Sequence, residues 1–234
     1  MRKKLIVFTG AGISAESGIK TFRDSDGLWE NHDVMDVATP QGWDKDFELV
    51  LEFYNARRKQ ALETEPNPGH LALLELEDKF DVQIITQNVD NLHERAGSAN
   101  VLHLHGELAK SRSTADHELI YEIDGPELNP GDLCEKGSQL RPHIVWFGEM
   151  VPNIEKAQEM CADAHILIII GTSLAVYPAA GIVNFAPPEI PKYFIDPKAE
   201  NIMNIENLTV IKEKGGTGTP TLVKELIANE QHSK

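Results

Sequence analysis

Several short stretches of this chain carry residue types that can do chemistry. The run Gly10-Ala11-Gly12-Ile13-Ser14-Ala15-Glu16-Ser17-Gly18 directly follows the apolar segment Leu5-Ile6-Val7-Phe8. Glycines at a strand end let the backbone turn sharply and approach a pyrophosphate, whose charge suits the exposed N–H groups of a helix start. The spacing is not that of a hydride-transfer enzyme. G-x-G is kept, but the next glycine comes at Gly18, and no second strand ending in an acidic residue follows where a ribose would be held. This stretch therefore implies a nucleotide and leaves the reaction open.

Polar groups recur at other strand ends. Thr86-Gln87-Asn88-Val89-Asp90 closes an apolar run with two amides and a carboxylate, which can bond a carboxamide or a ribose, although Asn88 or Asp90 could equally cap a following helix. In Val101-Leu102-His103-Leu104-His105, alternation puts both histidines on one face, and His105, beside Gly106, is nearer the strand's carboxyl end. An imidazole titrating near neutrality is the usual general base, the competing assignment being a structural histidine. Gly171-Thr172-Ser173 repeats the strand-to-polar-turn pattern and suits a phosphate or ribose, or forms a simple turn. Tyr54 and Arg57 are three apart on one helix face and could clamp a carboxylate, unless Arg57 is a surface residue paired with Glu52 or Glu63.

The elements that must position these groups alternate in type. Apolar runs at 5–9, 82–86, 101–104, 144–147, 166–170, 193–195 and 208–211 read as strands, several nearly continuous in Ile, Val and Leu, as parallel strands covered on both faces are. Helices are expected at Phe47–Glu63, Gly69–Lys79 behind Asn67-Pro68, Asn91–Ala96, Asn153–Asp163, and after Thr219-Pro220. This is an α/β pattern, a Rossmann-like doubly wound parallel sheet, with ligands at the strands' carboxyl ends. Ser25–Glu65 and Ala109–Arg141 break the rhythm and read as insertions forming a small second module. The expected division is 1–30, 63–108 and 142–234 for the sheet domain, and 31–62 with 109–141 for the module. The tail Glu230–Lys234 reads as disordered.

Composition narrows the class further. A chain of 234 residues can bury a full core, and no apolar run approaches the length needed to span a bilayer. A net charge of −15 disfavours nucleic acid and acidic membranes and favours a basic partner such as a lysine-bearing protein segment. Two cysteines, Cys134 and Cys161, make neither a disulfide framework nor a four-thiolate metal site, so the cytoplasm is the expected compartment.

Taken in order, these blocks resemble the sirtuins, the NAD-dependent protein-lysine deacylases. The matching stretches are Gly10–Gly18 with Phe22-Arg23 and Gly27-Leu28-Trp29, Gln87–Asp90, Leu104-His105-Gly106-Glu107, Val145-Trp146-Phe147-Gly148-Glu149 and Gly171–Ser173. The chain looks closest to bacterial members that remove acidic acyl groups, whose Tyr-x-x-Arg pair matches Tyr54-Asn55-Ala56-Arg57, with Gly42 at a position kept small to admit a longer acyl chain. The resemblance implies removal of succinyl, malonyl or acetyl groups from lysine, giving nicotinamide, free lysine and O-acyl-ADP-ribose. NAD would be consumed, with its pyrophosphate at Gly10, Ala11, Gly12, Ser14 and Glu16, and Phe22 and Arg23 over the nicotinamide ribose. Asn88 and Asp90 would bind the carboxamide, Gln87 the ribose, and Gly171, Thr172, Ser173, Asp196 and Gly215 the adenosine half. His105 would deprotonate the ribose hydroxyl, and the Val145–Glu149 backbone would pair with an acylated peptide as an added strand.

The chain departs from that pattern in places. Most sirtuins hold a structural zinc with four cysteines; here Cys134 stands alone, with Ser113, Asp116 and Gly137 at the other positions, so no metal is expected. Asp196 replaces a usual asparagine and Gly215 a common alanine. Two other activities fit the same cofactor residues: an ADP-ribosyltransferase or NAD hydrolase, and a non-catalytic binder of ADP-ribose or acyl-lysine. A monomer or weak oligomer is expected.

Overall fold

The computed structural model describes residues 2–19, 28–29, 32–199 and 205–232. The elements in chain order are β1 (Lys4–Thr9), the short β2 (Leu28–Trp29) and β3 (His32–Asp33), α1 (Val34–Val37), α2 (Pro40–Lys45), α3 (Phe47–Glu63), α4 (Pro68–Glu75), β4 (Asp81–Thr86), α5 (Leu92–Arg95), β5 (Val101–His103), β6 (Gly106–Ser113), β7 (Ile120–Glu122), β8 (Leu140–Ile144), α6 (Ile154–Ala162), β9 (Ile166–Ile170), β10 (Lys192–Ile195), β11 (Leu208–Ile211) and α7 (Gly215–His232).

Six strands form a parallel sheet in the order β11-β10-β9-β1-β4-β5. This is the Rossmann-like order, and the chain reverses direction across the sheet between β1 and β9, where ligands of such sheets bind. Alternation along β1 explains its two-faced burial. Leu5 and Val7 join a cluster with Leu73 of α4 and Leu222 of α7, whereas Ile6 and Phe8 join Ala157 and Cys161 of α6 on the other face. Fully burying one such side chain contributes about 1.5–3 kcal/mol.

Local signals set the helix bounds. Asp46 accepts the Leu49 N–H and starts α3, and Asn67, in a reciprocal capping box with His70, starts α4 ahead of Pro68. The expected start at Thr219-Pro220 is corrected: α7 begins at Gly215, and Pro220 lies inside it. Its first turn is built of glycines that fit tightly, since a Cβ on Gly218 would lie 2.8 Å from Ile195 Cγ2, and Glu16 accepts the Gly216 N–H. The expected disordered tail is also corrected as far as it is described. Glu230 is helical and pairs with Lys3 at 2.8 Å.

The run 144–147 does not join the parallel sheet, which corrects a third expectation. β8 pairs antiparallel with β6 in a three-stranded sheet, β7-β6-β8. The apolar residues that follow are drawn elsewhere. Trp146 packs with Val50, Phe53 and Tyr54 of α3, beneath the Arg141 guanidinium 3.3 Å from its ring centre. That cluster also holds Val34 and Val37 of α1, Leu108 of β6 and Ile144 of β8, so the first insertion packs on the strands that flank the second.

At the far end of the small sheet, the positions of the missing cysteines are tied by hydrogen bonds. Cys134 Sγ donates to Ser113 Oγ at 3.3 Å, Ser113 Oγ accepts the N–H groups of Ala115 and Asp116, and Asp116 pairs with Lys136 at 2.7 Å. One thiol and a carboxylate already held by a lysine do not fit the four-ligand set of a structural zinc.

Candidate active site

The carboxyl ends of β1, β4 and β9, with the segments after β5 and β8, converge on a cavity of about 600 Å³. Two glycine turns form its floor. Gly10 N–H donates to the Ile170 carbonyl and Gly12 N–H to that of Gly171, at 3.0 and 2.8 Å. A Cβ on Gly12 would lie 2.6 Å from Gly171 Cα, and Gly171 itself has φ +61°, so neither position admits a side chain. At these turns the cavity meets the backbone with no side chain between.

Beside it lies a bonded set of polar side chains. Asn88 Nδ2 donates to Ser14 Oγ, and Ser14 Oγ donates to Asp90 Oδ2, each at 3.1 Å. Asp90 Oδ1 also accepts the Leu92 N–H, so Asp90, one residue ahead of the α5 cap Asn91, braces the first residue of that helix and faces the cavity. Burial pushes its carboxyl above the usual range, against the hydrogen bonds from Leu92 and Ser14. Gln87 Nε2 donates to Thr172 Oγ1 at 2.9 Å, linking the ends of β4 and β9.

His105 lines the cavity with its Nδ1 3.0 Å from the Gln87 carbonyl. A carbonyl only accepts, so Nδ1 carries the hydrogen and Nε2 keeps the lone pair. Burial lowers the ring's pKa despite that hydrogen bond, which favours the neutral, basic form at pH 7.

Tyr54 and Arg57 of α3 both line the cavity as well. Arg57 is 6% exposed, so it is not a surface residue. Trp146 Nε1 donates to the Tyr54 hydroxyl at 3.1 Å. Burial raises the phenol's pKa, so it stays a neutral donor. Gly42 does not share this wall. It sits in α2 where an added Cβ would strike the Asp36 carbonyl, so its small size serves the packing of α1 on α2.

Residues 145–149 line the cavity too, anchored by Glu149, which accepts from Arg141 at 2.7 Å, Arg112 at 3.0 Å and the Trp146 N–H at 2.8 Å. The N–H groups of Val145 and Phe147 go to the carbonyls of His105 and Ala38, and that of Glu149 to Trp146. An added peptide strand here would therefore draw on carbonyls and the Gly148 N–H.

Of the remaining expected residues, Ala11, Glu16, Ser173 and Asp196 line the cavity, whereas Gly215 sits behind it, where a Cβ would be 3.1 Å from Ile13 Cα. Phe22 and Arg23 lie outside the described residues. The sequence reading missed Lys198 and Lys214, which bring positive charge to the lining. Each follows a strand of the parallel sheet, and that position was the available signal. It also missed the apolar rim of Val176 and Tyr177.

The Sir2 family pattern matches residues 10–178, which hold both glycine turns and His105. The chain belongs to the Sir2 family. A relative from Helicobacter pylori named NAD-dependent protein deacylase is 55% identical, over 96% of this chain and 98% of its own. One of the same name from Bacteroides thetaiotaomicron is 51% identical, over 96% and 98%. Among solved structures, a Sir2 homologue in complex with NAD is 38% identical with a TM-score of 0.87, over 98% of this chain and 91% of its own. A variant Sir2 homologue with ADP-ribose has 38% identity and a TM-score of 0.88, over 97% and 93%.

Proposed function

We propose that this Sir2 family member removes acyl groups from protein lysine with NAD as consumed co-substrate, and that it accepts succinyl and malonyl as well as acetyl groups. The observation that carries the reading is the sharing of one cavity by a neutral, oriented imidazole, two glycine turns and a buried Tyr54–Arg57 pair. NAD supplies a sugar carbon bearing a cationic leaving group, so the chain's task is chiefly placement.

In this reading, Gly10, Ala11, Gly12, Ser14 and Glu16 border the pyrophosphate, with Lys214 and the start of α7 adding positive potential. Asn88 and Asp90 bond the carboxamide, Gln87 the adjacent ribose, and Thr172, Ser173 and Asp196 the adenosine half. His105 Nε2 takes a proton from a ribose hydroxyl, a role worth typically 10²–10⁴-fold in rate. Arg57 and Tyr54 hold the carboxylate of an acidic acyl group. The acylated peptide lies along 145–149 beneath the apolar rim. The small module folds without zinc; metal analysis finding about one zinc per chain would overturn that. The protein works in the cytoplasm as a monomer or weak oligomer.

The test is a stoichiometric assay with NAD and acyl-lysine peptides. The expected result is equal release of nicotinamide and free lysine, with His105→Ala losing turnover while still binding NAD. Nicotinamide release without lysine release would assign the chain to ADP-ribosyl transfer or NAD hydrolysis instead.

A further inference from the structure

His103 stands two residues from His105, and no step above uses it. It is buried behind the cavity, and its ring bridges two acceptors: Nδ1 is 2.9 Å from the Asn88 carbonyl oxygen and Nε2 2.9 Å from Glu94 Oε1. A carbonyl and a carboxylate accept and do not donate, so both ring nitrogens must carry hydrogen for both bonds to exist. His105 faces a carbonyl at Nδ1 and needs only one. The two rings clamp consecutive carbonyls, those of Gln87 and Asn88, in the segment that carries the amides and Asp90.

The surroundings support a charged ring. Burial opposes charging of His103, but the hydrogen bond and charge of Glu94, the Asn88 carbonyl and the charge of Glu107 outweigh it and hold the ring above the ordinary histidine range. Burial likewise opposes ionisation of Glu94, and the bond to His103, with its charge and that of Lys110, reverses this. Asp90 and His93 also feel the ring. Its charge favours the Asp90 carboxylate and disfavours protonation of the buried His93, which His70 disfavours further.

We propose that His103 is a standing imidazolium, paired with Glu94, that positions the Gln87–Asp90 segment and keeps Asp90 ionised for its bond to the nicotinamide carboxamide. His103 is a positioning residue, and the assignment of the carboxamide to Asp90 rests on the reading above. Two histidines two residues apart, one ending β5 and one just beyond it, would thus hold opposite charge states at neutral pH, one as base and one as fixed cation. A neutral His103 would have to give up one of its two bonds, freeing either Glu94 or the Asn88 carbonyl.

The experiment has two readouts that do not require turnover. In the ligand-free protein with ¹⁵N-labelled histidine, both His103 nitrogens should show imidazolium shifts at pH 7 while His105 shows the Nδ1–H tautomer, with His103→Gln assigning the signals. Calorimetric titration with NAD should then show affinity weakening about tenfold as pH rises through the His103 titration. Glu94→Gln removes the group that raises the ring's pKa, so this weakening should move to lower pH. A neutral His103 ring at pH 7 in the wild-type protein, or NAD affinity with the same pH dependence in both proteins, overturns the proposal. A chain that gave the expected signature and left acyl-lysine intact would overturn the deacylase reading alone.

Discussion

Replacing Arg57 by methionine tests the acyl pocket most directly. Arg57 is 6% exposed and its neighbour Tyr54 fully buried, so a carboxylate held between them would be largely out of water. A hydrogen bond to a charged group contributes about 1.5–3 kcal/mol, and each 1.4 kcal/mol is tenfold. Arg57→Met should therefore lower kcat/KM for a succinyl peptide by roughly 10- to 150-fold. Methionine keeps an unbranched stem of similar length, so packing against Phe53, whose ring centre lies 5.9 Å from the guanidinium carbon, is retained. An acetyl group has no carboxylate, and its kcat/KM should change little. The deciding quantity is the ratio of the two kcat/KM values on one peptide. Loss of active protein or of NAD binding cancels in that ratio. Were the ratio unchanged, Arg57 would serve only the fold, and the acidic-acyl reading would fail.

Other perturbations probe the frame. Glu149→Gln leaves Arg112 and Arg141, with side chains 7% and 6% exposed, without their carboxylate, and should cost about 3–5 kcal/mol in urea denaturation; a midpoint within error of wild type would refute the anchoring role. Gly12→Ala puts a Cβ 2.6 Å from backbone that has no flexible end to yield, and should abolish NAD binding by calorimetry; wild-type affinity would refute the cradle. Burial lowers His70 and His143 to about 4, so both are neutral in the fold and charge readily when unfolded. The stability this gives is present above the unfolded value near 6.5 and is lost as pH falls towards 4. For His70, fully buried, the loss approaches about 3 kcal/mol; flat stability between pH 6.5 and 4 would contradict it.

The parts of the molecule legible in the sequence were those whose signal is local. The Ile, Val and Leu runs of β1, β4 and β9 mark strands covered on both faces, and Asp46 and Asn67 announce helices through their own side chains. The misread parts depend on distant partners. Nothing local in 144–147 says that Trp146 belongs under α3, since Tyr54 supplies its hydrogen-bond partner and Arg141 covers its ring. Thr219-Pro220 resembles a helix start because the pattern omits what Gly215–Gly218 pack against. Gly42 could be read as room for a ligand until the Asp36 carbonyl was seen to occupy that room. The two histidines differ in their access to the cavity and in their acceptors, one of which, Glu94, arrives from α5.

If Tyr54 and Arg57 hold the acyl group as proposed, the small sheet sets acyl selectivity through the rotation of α3. Tyr54 and Arg57 face the cavity, whereas Asn55 and Arg58, each one residue or about 100° further round α3, face the small sheet. Asn55 exchanges two hydrogen bonds with the main chain of Leu128, and Arg58 donates to the carbonyls of Leu108 and Pro126. These bonds fix the rotation of α3 about its axis. A turn of one residue would take Arg57 out of the cavity and break them all. The ties around Ser113, Cys134 and Asp116 lie at the opposite end of β6 and hold the sheet's shape rather than the helix's rotation. Loosening them should therefore reach acyl selectivity only through Leu108 and the 126–128 segment, while loss of Asn55 or Arg58 acts on it directly.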